Sequence, residues 1–201
     1  MIQTPDSGTL YRIRTRHKDV GVAIVVLVAL SLGWLLRQQV TTRTLLFQDA
    51  NSPFRMAYPA TWSEVESLQD VLLNVEDPQT DSTFKTTLTV ESRALDPQSP
   101  PDLQTLVDRR IEQRGTLTAY QFFSEEETTA DGVPAEQLEY AFVTQPIDIA
   151  GRASPPIVVH AREVIVLAKD WVYYITLNAP ESEFVAASER FEQILQTLRV
   201  Q

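Results

Sequence analysis

The chain has 201 residues, with 17 Lys/Arg against 27 Asp/Glu for a net charge of −10, and it contains no cysteine. The missing thiols exclude disulfides, thiolate metal sites and cysteine nucleophiles together. The acidity disfavours nucleic-acid phosphates and anionic headgroups as ligands, so no nucleic-acid partner is expected.

Charge is divided unevenly along the chain. Residues 1–19 carry a net +2 and residues 38–201 a net −13. The first segment reads as a short cytoplasmic tail whose Arg12, Arg14, Arg16 and Lys18 precede an apolar run, whereas only Arg37 and Arg43 follow it closely. That asymmetry makes the four basic residues topology determinants and places the N-terminus in the cytoplasm.

The run itself, Val20 to Leu36, holds 17 residues with no charge and a single hydroxyl, Ser31. A span needs about 20 apolar residues with a lower limit near 17, so residues 20–36 are expected to form one transmembrane helix. A cleavable export signal would have a shorter core and a small-x-small site behind it, and Arg37-Gln38-Gln39 offers none. The expectation is a retained signal anchor in the cell membrane. The following domain then lies on the extracytoplasmic side, in periplasm, cell exterior or lumen. Gly21, Ala29 and Gly33 recur along one face of the span, and small residues there permit close approach of a second helix.

Residues 37–50 are expected to be a linker and residues 51–201 one extracytoplasmic domain. Phe54 to Trp62 alternates apolar and polar up to Pro59 and predicts a strand, followed by strands over 71–77 and 84–95. Pro100-Pro101 and Asp102 open a helix with Leu103, Leu106, Val107 and Ile111 on one buried face and Gly115 as its stop. Strands over 120–129 and 133–143 meet at Asp131-Gly132, a pair that tolerates the positive φ of a tight hairpin. Two more, over 157–168 and 171–179, flank Lys169-Asp170. A final helix from near Pro180 carries the stripe Phe184, Ala187, Phe191, Ile194, Leu195 and Leu198. The pattern predicts an α+β fold, an antiparallel sheet with helices covering its faces behind the N-terminal transmembrane helix.

The candidates for chemistry are few. His160 is the one histidine of the outer domain, and neither a zinc site nor a triad is complete around it. Set in IVVHAREV, it is expected to be a strand residue hydrogen-bonded at the sheet margin. Ser154 and Ser188 lack a nucleophile-elbow context. Glu125, Glu126, Glu127 and Asp131 form the densest carboxylate group, with Glu136 and Glu139 on the paired strand. Calcium takes such oxygen ligands, but the spacing is no EF-hand and a charge run more often guards a sheet edge. Asp77, Asp81 and Asp96 fall in loops. No catalytic, metal or cofactor residue is assigned.

The order F-x-x-x-Y-P-x-x-W at 54–62, D-G-x-P-A-x-x-x-x-Y at 131–140, W-V-Y-Y-I-T at 171–176 and F-x-x-I-L-x-T-L at 191–198 resembles the PsbP-like family. The resemblance covers about residues 45–200. It implies an α/β/α sandwich and a non-enzymatic accessory or assembly role in membrane complexes, electron-transport or photosynthetic ones among them. The chain departs from the photosynthetic members in keeping a transmembrane anchor and in lacking an evident basic docking surface. The expected partners are the membrane and other subunits of a membrane complex. A small-molecule ligand is not expected, and the alternative reading is an extracytoplasmic sensor of a ligand or of calcium.

Overall fold

The computed structural model describes residues 17–41, 43–66, 71–146 and 154–201, with side chains of the first helix described over 20–34. Residues Met1–Thr41 and Thr42–Gln201 are separate compact units. In the first, helix α1 runs from His17 to Thr41. Among the described residues no helix is both long and apolar enough to cross a membrane. Val20, Leu27, Leu30 and Trp34 are all exposed along α1. Gly21 and Gly33 have nothing within 4 Å of where a Cβ would stand, and Ala29 is exposed. Arg12, Arg14 and Arg16, and the side chain of Lys18, lie outside the described residues.

The second unit is built on a seven-stranded antiparallel sheet. Its strands are β3 (Ser63–Glu64), β4 (Val71–Glu76), β5 (Thr87–Ala94), β6 (Gln121–Ala130), β7 (Val133–Thr144), β8 (Ile157–Ala168) and β9 (Trp171–Pro180), in the order β3-β4-β5-β9-β8-β7-β6. The central pair β8 and β9 reads as nearly continuous apolar sequence because both of its faces are covered. On one face lie α3 (Phe184–Leu195) and a separate hairpin of β1 (Thr44–Gln48) and β2 (Arg55–Pro59). Phe54, Met56, Tyr58, Trp62, Phe191 and Leu198 close this core over Tyr173, Ile175 and Leu177. On the other face α2 (Leu103–Arg114) packs Leu106 and Val107 over Leu138, Tyr140, Ala161, Ile165 and Val172.

Local chemistry sets the boundaries. Asp102 accepts a hydrogen bond from the Thr105 N–H at 2.7 Å and caps α2, satisfying a donor that the first turn cannot; that bond holds its carboxyl below the usual range. At the β6–β7 hairpin Asp131 has φ 52° and Gly132 φ 75°, two consecutive left-handed residues as a two-residue turn demands.

The expected linker over 37–50 is corrected at its end: Thr44–Gln48 is a strand, registered from Thr44 opposite Pro59 to Gln48 opposite Arg55. Five residues carry too little periodicity to be read alone. They are held by β2 and by Phe47, whose ring meets Phe54 edge-on at 6.2 Å. The first expected strand is shorter than 54–62, and two-residue β3 carries no pattern of its own, since such strands exist only through their partner.

Candidate functional site

Glu163 is the most buried charge of the sandwich, with no exposed surface, in the middle of β8. The Arg110 guanidinium stands 2.6 Å from its Oε1 and that of Arg114 at 3.2 Å. The hydroxyls of Tyr140 and Thr176 donate to it at 3.1 and 2.9 Å. Arg110 also holds Glu91 in a two-point grip at 2.8 and 3.2 Å, donates to Gln113 Oε1 at 2.9 Å, and lies 4.5 Å from the centre of the Tyr174 ring. Two arginines thus balance two glutamates under α2.

Burial pushes the Glu163 carboxyl up, but Arg114 and Arg110 outweigh it and hold it below the usual range. Burial raises the Tyr140 phenol, with Glu163 adding to the rise. Burial works against the charge on Arg110, and Glu163 and Glu91 more than restore it. A carboxylate held ionised and saturated with donors is a poor proton acceptor at neutral pH. The cluster is an electrostatic clamp that fixes α2 to β5, β8 and β9.

The candidate carboxylates for calcium do not converge. Glu125 and Glu127 face the same side as Glu136, while Glu126, between them on the strand, points to the other. Asp131 instead accepts from the Val200 N–H at 3.0 Å. Asp77 binds Arg190 at 2.6 Å, and Asp96 caps its own turn through Gln98 N–H at 2.9 Å. Among the described residues no group of three or more acidic or histidine side chains is placed to hold a metal ion.

Burial raises the Glu136 carboxyl, and Glu125 and Glu127 raise it further. Such a group favours the folded state only when protonated, so its ionised form costs stability above the ordinary value of 4.5. Glu136→Gln is therefore expected to stabilise the protein at pH 7 by no more than about 0.5 kcal/mol after solvent screening. The gain should vanish below pH 4.5 in urea melts taken across pH; a gain that persists there would assign the effect to packing.

His160 is not at the sheet margin as expected but on β8 between β7 and β9. Its ring lies between Phe123 and Phe184 at 5.4 and 5.0 Å, and its Nδ1 is buried without a hydrogen-bond partner among the described residues. The aromatic stack ends at the surface. Phe122 is 40% exposed, Phe123 43% and Val158 40%. Phe123 is the extra residue of a bulge between Phe122 and Ser124 in β6, the strand that terminates the sheet. Glu125 to Glu127 guard the rest of that edge, but after Gln121 it carries two exposed phenylalanines, an arrangement suited to contact with another protein.

Fold and surface together define a class: an antiparallel α/β/α sandwich with an ion-paired interior and exposed aromatic residues on one edge strand. The PsbP family model matches residues 43–200, and the chain belongs to the PsbP family. Among solved structures it is similar to the cyanobacterial PsbP (CyanoP) of Synechocystis, at 12% identity and TM-score 0.58 over 79% of this chain and 92% of that one. LpqN of Mycobacterium tuberculosis, described as involved in cell envelope biogenesis, aligns at 13% identity and TM-score 0.54 over 78% and 89%. A protein of unknown function from Pseudomonas aeruginosa, PA94, aligns at 16% and 0.52 over 79% and 98%. No curated protein matches the chain. At these identities the structures establish the sandwich itself.

Proposed function

We propose that this chain is a non-enzymatic accessory or assembly subunit of a larger membrane protein complex, anchored by one span over residues 20–36. In this reading the N-terminus is cytoplasmic and the sandwich caps the complex on the extracytoplasmic side. The observation that carries it is PsbP-family membership over residues 43–200, a family in which accessory, generally non-catalytic roles prevail. The apolar run Val20–Leu36 with its basic N-terminal flank supports the anchor. The exposed Phe122–Phe123 edge supports docking by the sandwich, and Gly21, Ala29 and Gly33 offer a second contact face within the helix.

Solubilisation of native membranes in mild detergent followed by native electrophoresis tests the reading. The protein should migrate within a complex well above its 22.7 kDa and should resist carbonate extraction. Replacing Gly21, Ala29 and Gly33 by leucine should weaken that association, with retention in the membrane unchanged. Migration as a lone chain under every mild condition would remove the proposal.

A further inference from the structure

The sandwich carries a basic cleft that its composition hides. Arg110, Arg114, Arg162, Arg190 and Arg199 each form an ion pair with a carboxylate. Arg93 on β5 and Arg109 on α2, like Arg43 and Arg55, form none among the described residues, and Arg93 and Arg109 both line one cleft of about 130 Å³ with Leu106, Arg110, Gln113 and Tyr174.

The groups around this cleft are donors. Arg110 is spent on Glu163 and Glu91. Gln113 has its Oε1 taken by Arg110, which leaves its amide N–H groups. Burial raises the Tyr174 phenol, so it remains an O–H at neutral pH. The cleft holds roughly four waters' worth of volume, at about 30 Å³ each. Ligand pockets start near 300 Å³, so the space suits a compact head group. Guanidinium forks match planar oxyanions. In a domain of net charge −13 over residues 38–201, a monoanion meets less long-range repulsion than a dianionic phosphate.

The geometry points to a carboxylate-binding site in which Arg93 and Arg109 grip one carboxylate between them. That carboxylate comes from an acidic side chain of a partner protein or from a small free acid. The site lies at α2 and β5, away from the β6 edge, and stands independently of the accessory-subunit proposal.

Nuclear magnetic resonance of the full chain in non-ionic detergent, with arginine side chains labelled, tests it. Sodium acetate and an acetylated Glu-Glu-Glu amide peptide are titrated separately against sodium chloride at matched ionic strength. Saturable shifts of the Arg93 and Arg109 Nε–H signals are expected. Arg93→Gln or Arg109→Gln should each weaken the affinity about tenfold, the weight of one charge-assisted hydrogen bond. Tighter binding of the peptide than of acetate, per carboxylate, identifies a protein side chain as the source, and equal binding identifies a small acid. Linear shifts that sodium chloride reproduces, affinity unchanged in both variants, or tighter binding of inorganic phosphate would overturn the assignment.

Discussion

Glu163→Ala is expected to lower the folding stability by about 3–5 kcal/mol, the cost of leaving buried charge without its partner. Glu163 has no exposed surface and Arg110 only 6%, so water cannot replace the lost carboxylate. Glu91, 32% exposed, can neutralise one of the two arginines but not both. Against a total of about 5–15 kcal/mol for a domain, such a loss unfolds a substantial fraction of molecules under mild stress. Glu163→Gln keeps the shape and should cost less than alanine. The joint replacement Glu163→Leu, Arg110→Met and Arg114→Leu should recover most of the loss, because the penalty belongs to unpaired charge and not to missing attraction.

The same clamp sets an acid limb. The folded-state value of Glu163 is depressed, so its contribution is complete above the ordinary glutamate value of 4.5 and is lost as pH falls from there through the lower folded value. Urea melts from pH 7 to pH 3 should show wild-type stability declining below 4.5, with a flatter decline in Glu163→Gln. Parallel curves for the two proteins would show that Glu163 does not govern acid unfolding.

The hydrophobic rhythm carried most of the fold to the surface of the sequence. Asp131-Gly132 fixed one hairpin, the apolar runs at 157–168 and 171–179 marked strands covered on both faces, and the stripe from Phe184 to Leu198 marked a helix docked on a sheet. What stayed illegible depended on partners far along the chain. β1 is five residues supported by β2 and by the packing of Phe47 on the core. The clamp joins residues 49 and 53 positions apart, which no local pattern measures. A trace of it was present all the same: Glu163 falls at the inward parity of Ala161 and Ile165, and Arg110 falls on the stripe of Leu106 and Val107. A charge at an inward position on each of two elements is the signature of a buried pair. The juxtaposition of Arg93 and Arg109 at one cleft was beyond reach, since it emerges only when α2 is packed beside β5.

The exposed β6 edge, read as the contact surface of the proposed accessory role, yields the second large effect. Phe122→Glu with Phe123→Glu is expected to abolish association with the larger complex while leaving the sandwich folded. Aromatic anchors at the centre of an interface cost 2 kcal/mol or more when lost, about 30-fold in affinity for one and more for two beside an acidic run. Folding should suffer far less. Phe122 and Phe123 already expose 40% and 43% of their surface, and the buried part of Phe123 rests on His160, which keeps Phe184 on its other side. Val185→Glu is the matched control. That residue is 75% exposed on α3, so it adds one negative charge, against two in the phenylalanine pair, on a different element and should leave the complex intact. Native electrophoresis reads association and thermal unfolding reads folding in each variant. Loss of the complex in the phenylalanine pair alone assigns recognition to the β6 edge. Loss in the control as well would make the effect one of net charge, and survival in both would return recognition to the helix face of Gly21, Ala29 and Gly33.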